Sequence, residues 1–179
     1  MSYQEIIDKF YPVGTVRRDI YLKHCSQVAD EALEIARKKN LPLSEEDIRI
    51  AAMLHDIGIF LTDADGIDCH GSEPYIRHGI LGADLLREYG FDEKYARVAE
   101  RHTGTGINAE DIKELSLPLP CDRVLIPETL LERLICFADK FYSKSGTMQK
   151  KSLEKVRNSM SRHSQATLNR FEKLYSEFS

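Results

Sequence analysis

Tryptophan is absent from the chain, and aromatic residues make up only 8% of its 179 positions. Cysteine is scarce as well. Cys25, Cys69, Cys121 and Cys136 are scattered without a C-x-x-C pair, which excludes a disulfide framework and a thiolate metal site. Cys25 and Cys136, set among apolar helix residues, are expected to be small core fillers. No apolar run approaches the ~18 residues of a membrane span. The start, Met1 to Glu5, lacks the basic opening and apolar stretch of a secretory signal, so a cytoplasmic protein without a membrane partner is expected. Positive charge is in short supply too: 25 Lys and Arg stand against 29 Asp and Glu, a formal net charge of -4. That balance argues against electrostatic wrapping of nucleic acid but leaves room for a local basic pocket.

Hydrophobic residues make up 42% and charged residues 30% of the sequence, the composition of a globular fold. The length predicts a single domain over 1–179, large enough to bury a core without disulfides or metal. The pattern is helix after helix. A short N-terminal helix, Tyr3 to Tyr11, is stopped by Pro12. A long one runs from about Thr15 to Lys39, with Ile20, His24, Val28 and Ile35 along one stripe. Ser44, with Asp47 three residues on, signals the cap of the next, Glu45 to about Ile57. This helix is apolar on more than one side and so is expected at the centre.

After Gly58 a polar loop leads to a helix from about Tyr75 to Tyr89, closed by Gly90. Asp92 caps another, whose face is Tyr95, Val98, Ala99 and His102. A proline-marked stretch precedes a helix from about Glu128 to Ser143, and one last helix is expected from Leu153 to Phe178. No alternating strand stands out, so the fold class is all-α. Asp63 to Asp68 has the look of a calcium loop, but its glycine comes too early and the closing glutamate is missing; it reads as a solvated loop. The run Lys144, Lys150, Lys151 and Lys155 reads as a solvated helix end.

Four of the six histidines stand where a metal site would want them. His24 lies mid-helix beside Val28, His55 ends an apolar face with Asp56 directly after it, His78 opens a helix and His102 closes one. Asp139 ends the apolar run Leu134 to Ala138, where a lone carboxylate is costly unless paired or bound to a cation. Imidazole and carboxylate together suit iron, manganese, zinc or nickel.

His24, then Leu54-His55-Asp56-Ile57-Gly58, then Ala138-Asp139 resembles the H…HD…D signature of the HD superfamily of metal-dependent phosphohydrolases, over about 20–144. The resemblance implies a helical bundle in which His24, His55, Asp56 and Asp139 hold a first metal. His78 and His102 match the extra histidines of binuclear members, in which Asp56 would bridge two divalent ions, with iron the leading candidate and manganese, zinc, nickel or magnesium the others. The His102-Thr103-Gly104 segment and the later Ala138-Asp139-Lys140 are most similar to the symmetrical dinucleoside tetraphosphate hydrolases. The long Leu61 to Tyr75 loop and the Leu115 to Leu130 stretch depart from that type.

Two divalent ions about 3.5–4 Å apart can activate a bridging water and stabilise the entering and leaving oxygens of a phosphate. The expected reaction is therefore attack by a metal-bridging hydroxide on a phosphoester or phosphoanhydride of a nucleotide-like small molecule, with Asp56 and Lys140 in catalytic roles. Developing phosphate charge wants cationic or N–H donors, and Arg77, Arg101, Thr103 and Lys140 are the candidates, with the Thr103 to Gly106 amides. His70, near Glu73, could protonate a leaving group but reads as a loop histidine. His163 reads as a surface or interface residue on a helix whose role is packing, with a homodimer as one way to cover it. The same six ligands would also suit a di-iron oxygenase acting on a small polyol or phosphonate, and a non-catalytic ligand-binding module is a third reading.

Overall fold

The computed structural model describes all 179 residues. Nine α-helices make up the fold: α1 (Tyr3–Phe10), α2 (Val16–Lys39), α3 (Glu45–Leu54), α4 (His78–Glu88), α5 (Glu93–Arg101), α6 (Ala109–Glu114), α7 (Leu130–Asp139), α8 (Leu153–His163) and α9 (Gln165–Phe178). The protein is all-α except for one two-residue antiparallel hairpin, β1 (Asp63–Ala64) with β2 (Cys69–His70), in which Asp63 lies opposite His70.

Capping sets most of the boundaries. Ser44 accepts a hydrogen bond from the Asp47 amide at 3.0 Å, starting α3 where the sequence indicated. Helix α3 is shorter than its apolar run, because the chain turns at His55 and Asp56 into a 3-10 turn over Ile57–Leu61. The expected single C-terminal helix is two helices. Ser164 takes up an extended backbone and caps α9 through the Thr167 amide, so the chain folds back on itself there. Helix α6, capped by Asn108, lies between the Thr103 to Gly106 break and the first proline of the proline-marked stretch, where the sequence pattern predicts no helix.

Thirty-five buried residues form the main core, in which α2, α3 and α7 are central. The apolar stripe of α9 packs within the chain: Phe171 is fully buried, its ring 5.9 Å from that of Phe137 on α7. A smaller apolar cluster of Ile80, Ile107, Ile112, Leu119 and Leu125 lies under the proline-marked segment. Cys25 and Cys136 are buried and unpaired, as core fillers should be. No helix is long and apolar enough to cross a membrane.

Candidate metal centre

The core converges on one carboxylate. Asp56 is fully buried, and one of its oxygens, Oδ2, lies 3.2 Å from His24 Nε2 and 3.1 Å from His55 Nε2. The other, Oδ1, lies 3.3 Å from His78 Nε2 and 3.2 Å from His102 Nε2. Asp139 closes one side, its Oδ1 being 3.0 Å from His24 Nε2 and 3.5 Å from His55 Nε2. Five side chains, from four other helices and its own neighbour His55, thus meet around Asp56. Three overlapping triplets, His24–His55–Asp56, His55–His102–Asp139 and Asp56–His78–His102, bring their donor atoms within metal-ligating reach.

The backbone brings them there for identifiable reasons. His55, His102 and Asp139 lie at the C-terminal ends of α3, α5 and α7, where aligned peptide dipoles leave partial negative charge that favours a cation. His78 opens α4, which comes close to the turn carrying Asp56 because both surfaces are glycine there. A Cβ on Gly58 would overlap the His78 carbonyl and the Gly82 amide, and one on Gly79 would press on the Ala99 carbonyl of α5. Any larger residue at Gly58 would push His78 away from Asp56.

Two buried tyrosines hold the segment from the other side. Tyr11 and Tyr21 stack with ring centroids 4.1 Å apart. The Tyr21 hydroxyl donates to the Met53 carbonyl at 2.5 Å, and the Tyr11 hydroxyl donates to the Ile57 carbonyl at 3.1 Å. Nothing in the sequence pattern marked these residues, since a tyrosine beside an apolar stripe looks the same whether or not its hydroxyl serves a site.

Three of the histidines are oriented alike. The Nδ1 atoms of His55, His78 and His102 lie 2.6, 2.7 and 2.8 Å from the carbonyls of Ala52, Tyr75 and Ala99, each three residues back. Donation from Nδ1 fixes the tautomer and turns an Nε2 lone pair inward. His78 Nε2 and His102 Nε2 then face each other at 3.0 Å. His55 Nε2, both nitrogens of His24 and Asp56 Oδ1 are buried without a hydrogen-bond partner, and the one cation beside Asp56 Oδ2 is the Lys144 ammonium at 2.7 Å. Lone pairs and a carboxylate brought together out of water demand positive charge. A cation held by imidazole nitrogen and carboxylate oxygen meets that demand, and the donor set fits the metals expected from the sequence.

The ionisation of the cluster reflects the same shortage. Burial works against charge on Asp56, yet His55 and Lys144 hold its carboxyl well below the usual range. Burial likewise opposes charge on Asp139, and Lys140 with His24 and His55 outweighs it. Burial pushes His102 down to about 3, keeping it neutral. For His55 burial also favours the neutral form, but the Asp56 anion prevails and raises it.

A cavity of about 600 Å³ opens beside the cluster. His78, His102, Asp139, Lys140, Lys144 and Thr103 contribute to its wall, and so do Ile76, Ile107 and Leu117, which belong to the smaller apolar cluster or pack on it. Lys140 Nζ lies 2.6 Å from Asp139 Oδ2 and 3.1 Å from the His102 carbonyl.

Several expectations need correction here. Lys144 is no solvated helix end: its side chain is 16% exposed and its Nζ lies 2.7 Å from Asp56 Oδ2. Lys151 also lines the cavity, whereas Lys150 pairs with Glu31 outside it. His163, Met160, Thr167 and Arg170 of α8 and α9 are wall residues, so the C-terminal helices border the cavity as well as packing on the core. Thr105 donates to the Thr167 carbonyl at 3.0 Å, tying the Thr103 to Gly106 loop to α9. Arg77 and Arg101, expected to face phosphate, do not reach the cavity wall. Arg77 pairs with Glu73 at 2.6 Å, and Arg101 bridges Glu128 at 2.6 Å and Glu132 at 3.1 Å. His70 is exposed and engages Asp65 and Asp68 of the hairpin.

The HD domain family matches residues 21–143, more than half of the chain and a range that contains all six candidate ligands. The chain belongs to the HD domain family. It is 42% identical over 121 residues to an uncharacterized protein of Methanocaldococcus jannaschii, covering 66% of this chain and 63% of that one. It is 30% identical over 161 residues to a tRNA (cytidine(56)-2'-O)-methyltransferase of Picrophilus torridus, covering 90% of this chain and 42% of the relative. A protein of the same name from Thermoplasma volcanium is 33% identical over 140 residues, 78% of this chain and 36% of the relative. The chain therefore spans less than two thirds of each of these relatives. No solved structure matches it.

Proposed function

We propose that this HD domain protein is a metal-dependent phosphohydrolase acting on a nucleotide-like phosphoester or phosphoanhydride. The observation that carries the reading is Asp56, a buried carboxylate within 3.3 Å of four histidine Nε2 atoms. His24, His55, Asp56 and Asp139 would hold one divalent ion, and Asp56, His78 and His102 a second. Such ions, when bound, supply an activated water and neutralise phosphate charge.

The chain's own residues do the rest. Asp139 keeps Lys140 protonated in spite of its burial, so an ammonium stands at the cavity wall where phosphate charge would develop. The Thr103 hydroxyl and the Gly104 amide stand on the same wall as neutral donors, whereas the Gly106 amide already donates to the Thr103 carbonyl at 3.0 Å. The apolar side chains Ile76, Ile107 and Leu117 suit a base or another flat group on the far part of the ligand. The dinucleoside tetraphosphates of the resembling hydrolases are the first substrates to try.

The methyltransferase names belong to proteins of which this chain matches only 42% and 36%. The His and Asp cluster suits a divalent transition metal, which phosphoryl chemistry uses and methyl transfer to a hydroxyl does not require, so methyl transfer is not carried over. The test is a phosphate-release screen with metal-loaded protein over mononucleotides and dinucleoside polyphosphates, in the absence of oxygen. Phosphate release that disappears on chelation is the expected result. Oxygen uptake on a polyol or phosphonate by reduced, iron-loaded protein, without phosphate release, would replace hydrolysis by the oxygenase reading.

A further inference from the structure

Lys144 stands one residue beyond the family match, and nothing in that match or in the relatives assigns it a role. Its Nζ touches Asp56 Oδ2 at 2.7 Å. The same oxygen faces His24 and His55 and is the one a cation in the His24, His55 and Asp139 set would need. Two positive charges cannot share one buried oxygen without strong repulsion, because little water screens them. Lysine and metal are thus rivals for Asp56.

The backbone around Lys144 is fastened while its side chain can move. The Lys151 amide donates to the Phe141 carbonyl at 2.8 Å, and Gln27 on α2 donates to the Met148 carbonyl at 2.7 Å, so the segment is pinned at several points. Lys144 also lines the cavity, beside Lys140 and Lys151. A four-carbon stem with rotatable bonds lets an ammonium change partners without moving the main chain.

We infer that Lys144 is a cation placeholder that pairs with Asp56 until a metal displaces it, and that it then turns its ammonium to the anion in the cavity. The inference rests on the metal-centre reading above and adds a device to it. Metal and phosphate binding are thereby coupled through one side chain: metal frees Lys144 for the anion, and the anion draws Lys144 away from the metal's oxygen.

Two titrations on the whole chain test this, with Mn²⁺ alone and then with inorganic phosphate on Mn²⁺-loaded protein. Lys144→Gln is compared with wild type and with Lys151→Gln, which removes a cavity charge that has no contact with Asp56; circular dichroism confirms that each is folded. The expected result is opposite signs for Lys144→Gln. Mn²⁺ should bind about tenfold tighter or more, since every tenfold is about 1.4 kcal/mol and a contact charge has been removed, and phosphate should bind about tenfold weaker. Lys151→Gln should shift Mn²⁺ affinity by less than about threefold, as a charge acting only from a distance. A residue that merely shapes the site would weaken both ligands. Same-sign changes, no change, or an equal gain from Lys151→Gln would overturn the inference and leave the metal centre standing. Failure of wild type and both variants to take up Mn²⁺ would overturn the metal-centre reading, and the inference with it.

Discussion

The two ends of the site are built in different ways. The cradle around Asp56 lies within residues 21–143 and hangs from helix ends, with each histidine but His24 fixed by a carbonyl three residues back. The facing wall, from Lys140 through Arg170, comes from an irregular segment and two C-terminal helices, and most of it lies beyond the family match. A metal tolerates little displacement of its ligands, so the cradle is rigid, buried and marked by a recognisable string. A substrate wall needs only the right charge and shape, so many sequences can build one and none announces itself.

Breaking the cradle at its centre should give the largest effect. Asp56→Ala removes the carboxylate shared by four histidines, and metal content per chain should fall to background for both ions. A variant keeping its full metal would leave no bridging role for Asp56. Breaking the wall's support should instead cost stability and spare the metal. Phe171→Ala empties a fully buried ring site and should cost about 3–5 kcal/mol of unfolding free energy, read by denaturant titration. Metal bound per folded molecule should not change, and a loss would mean that the wall and the cradle fold as one unit.

His78→Ala and His102→Ala cut the cradle on one side only. Each should remove about one ion per chain and leave the one held by His24, His55, Asp56 and Asp139, as two-site metal titration would show. Tyr11→Phe deletes the hydroxyl that braces the Ile57 carbonyl and leaves a buried acceptor unpaired, a cost of about 1–3 kcal/mol; metal affinity should weaken with stability. The smallest effect belongs to His163→Ala. The side chain is exposed and sits on the wall, so stability should move by less than about 0.5 kcal/mol and metal content not at all. A raised KM with unchanged kcat would place it in contact with substrate.

The legibility of the site in the sequence follows this division. His24, His55, His102 and Asp139 could be picked out because polar residues stood on otherwise apolar helix faces, where only pairing or a cation justifies them, whereas His78, which merely opens a helix, stood out only through the family resemblance. The helices were visible through periodicity and caps, Ser44 among them. What stayed hidden depended on contacts between distant segments. Arg77 and Arg101 looked like phosphate donors because they adjoin ligand histidines, but neighbours on a helix point different ways, and Glu73, Glu128 and Glu132 claim both. Lys144 looked solvated because its partner lies 88 positions away on another element. The break at Ser164 leaves no mark in the sequence pattern, because α8 and α9 carry apolar residues at similar spacing on either side of it. His163 was set aside for the same reason, since a single long helix would not have turned it toward the cavity.

Metal stoichiometry of the gently purified wild-type chain, measured by elemental analysis beside His78→Ala, tests the central claim most directly. The account predicts about two divalent ions per chain in the wild type and about one in the variant, because Asp56 would bridge two positions of which only one depends on His78. A wild-type chain that takes up no divalent ion on reconstitution, or a His78 variant that still holds two, would contradict it.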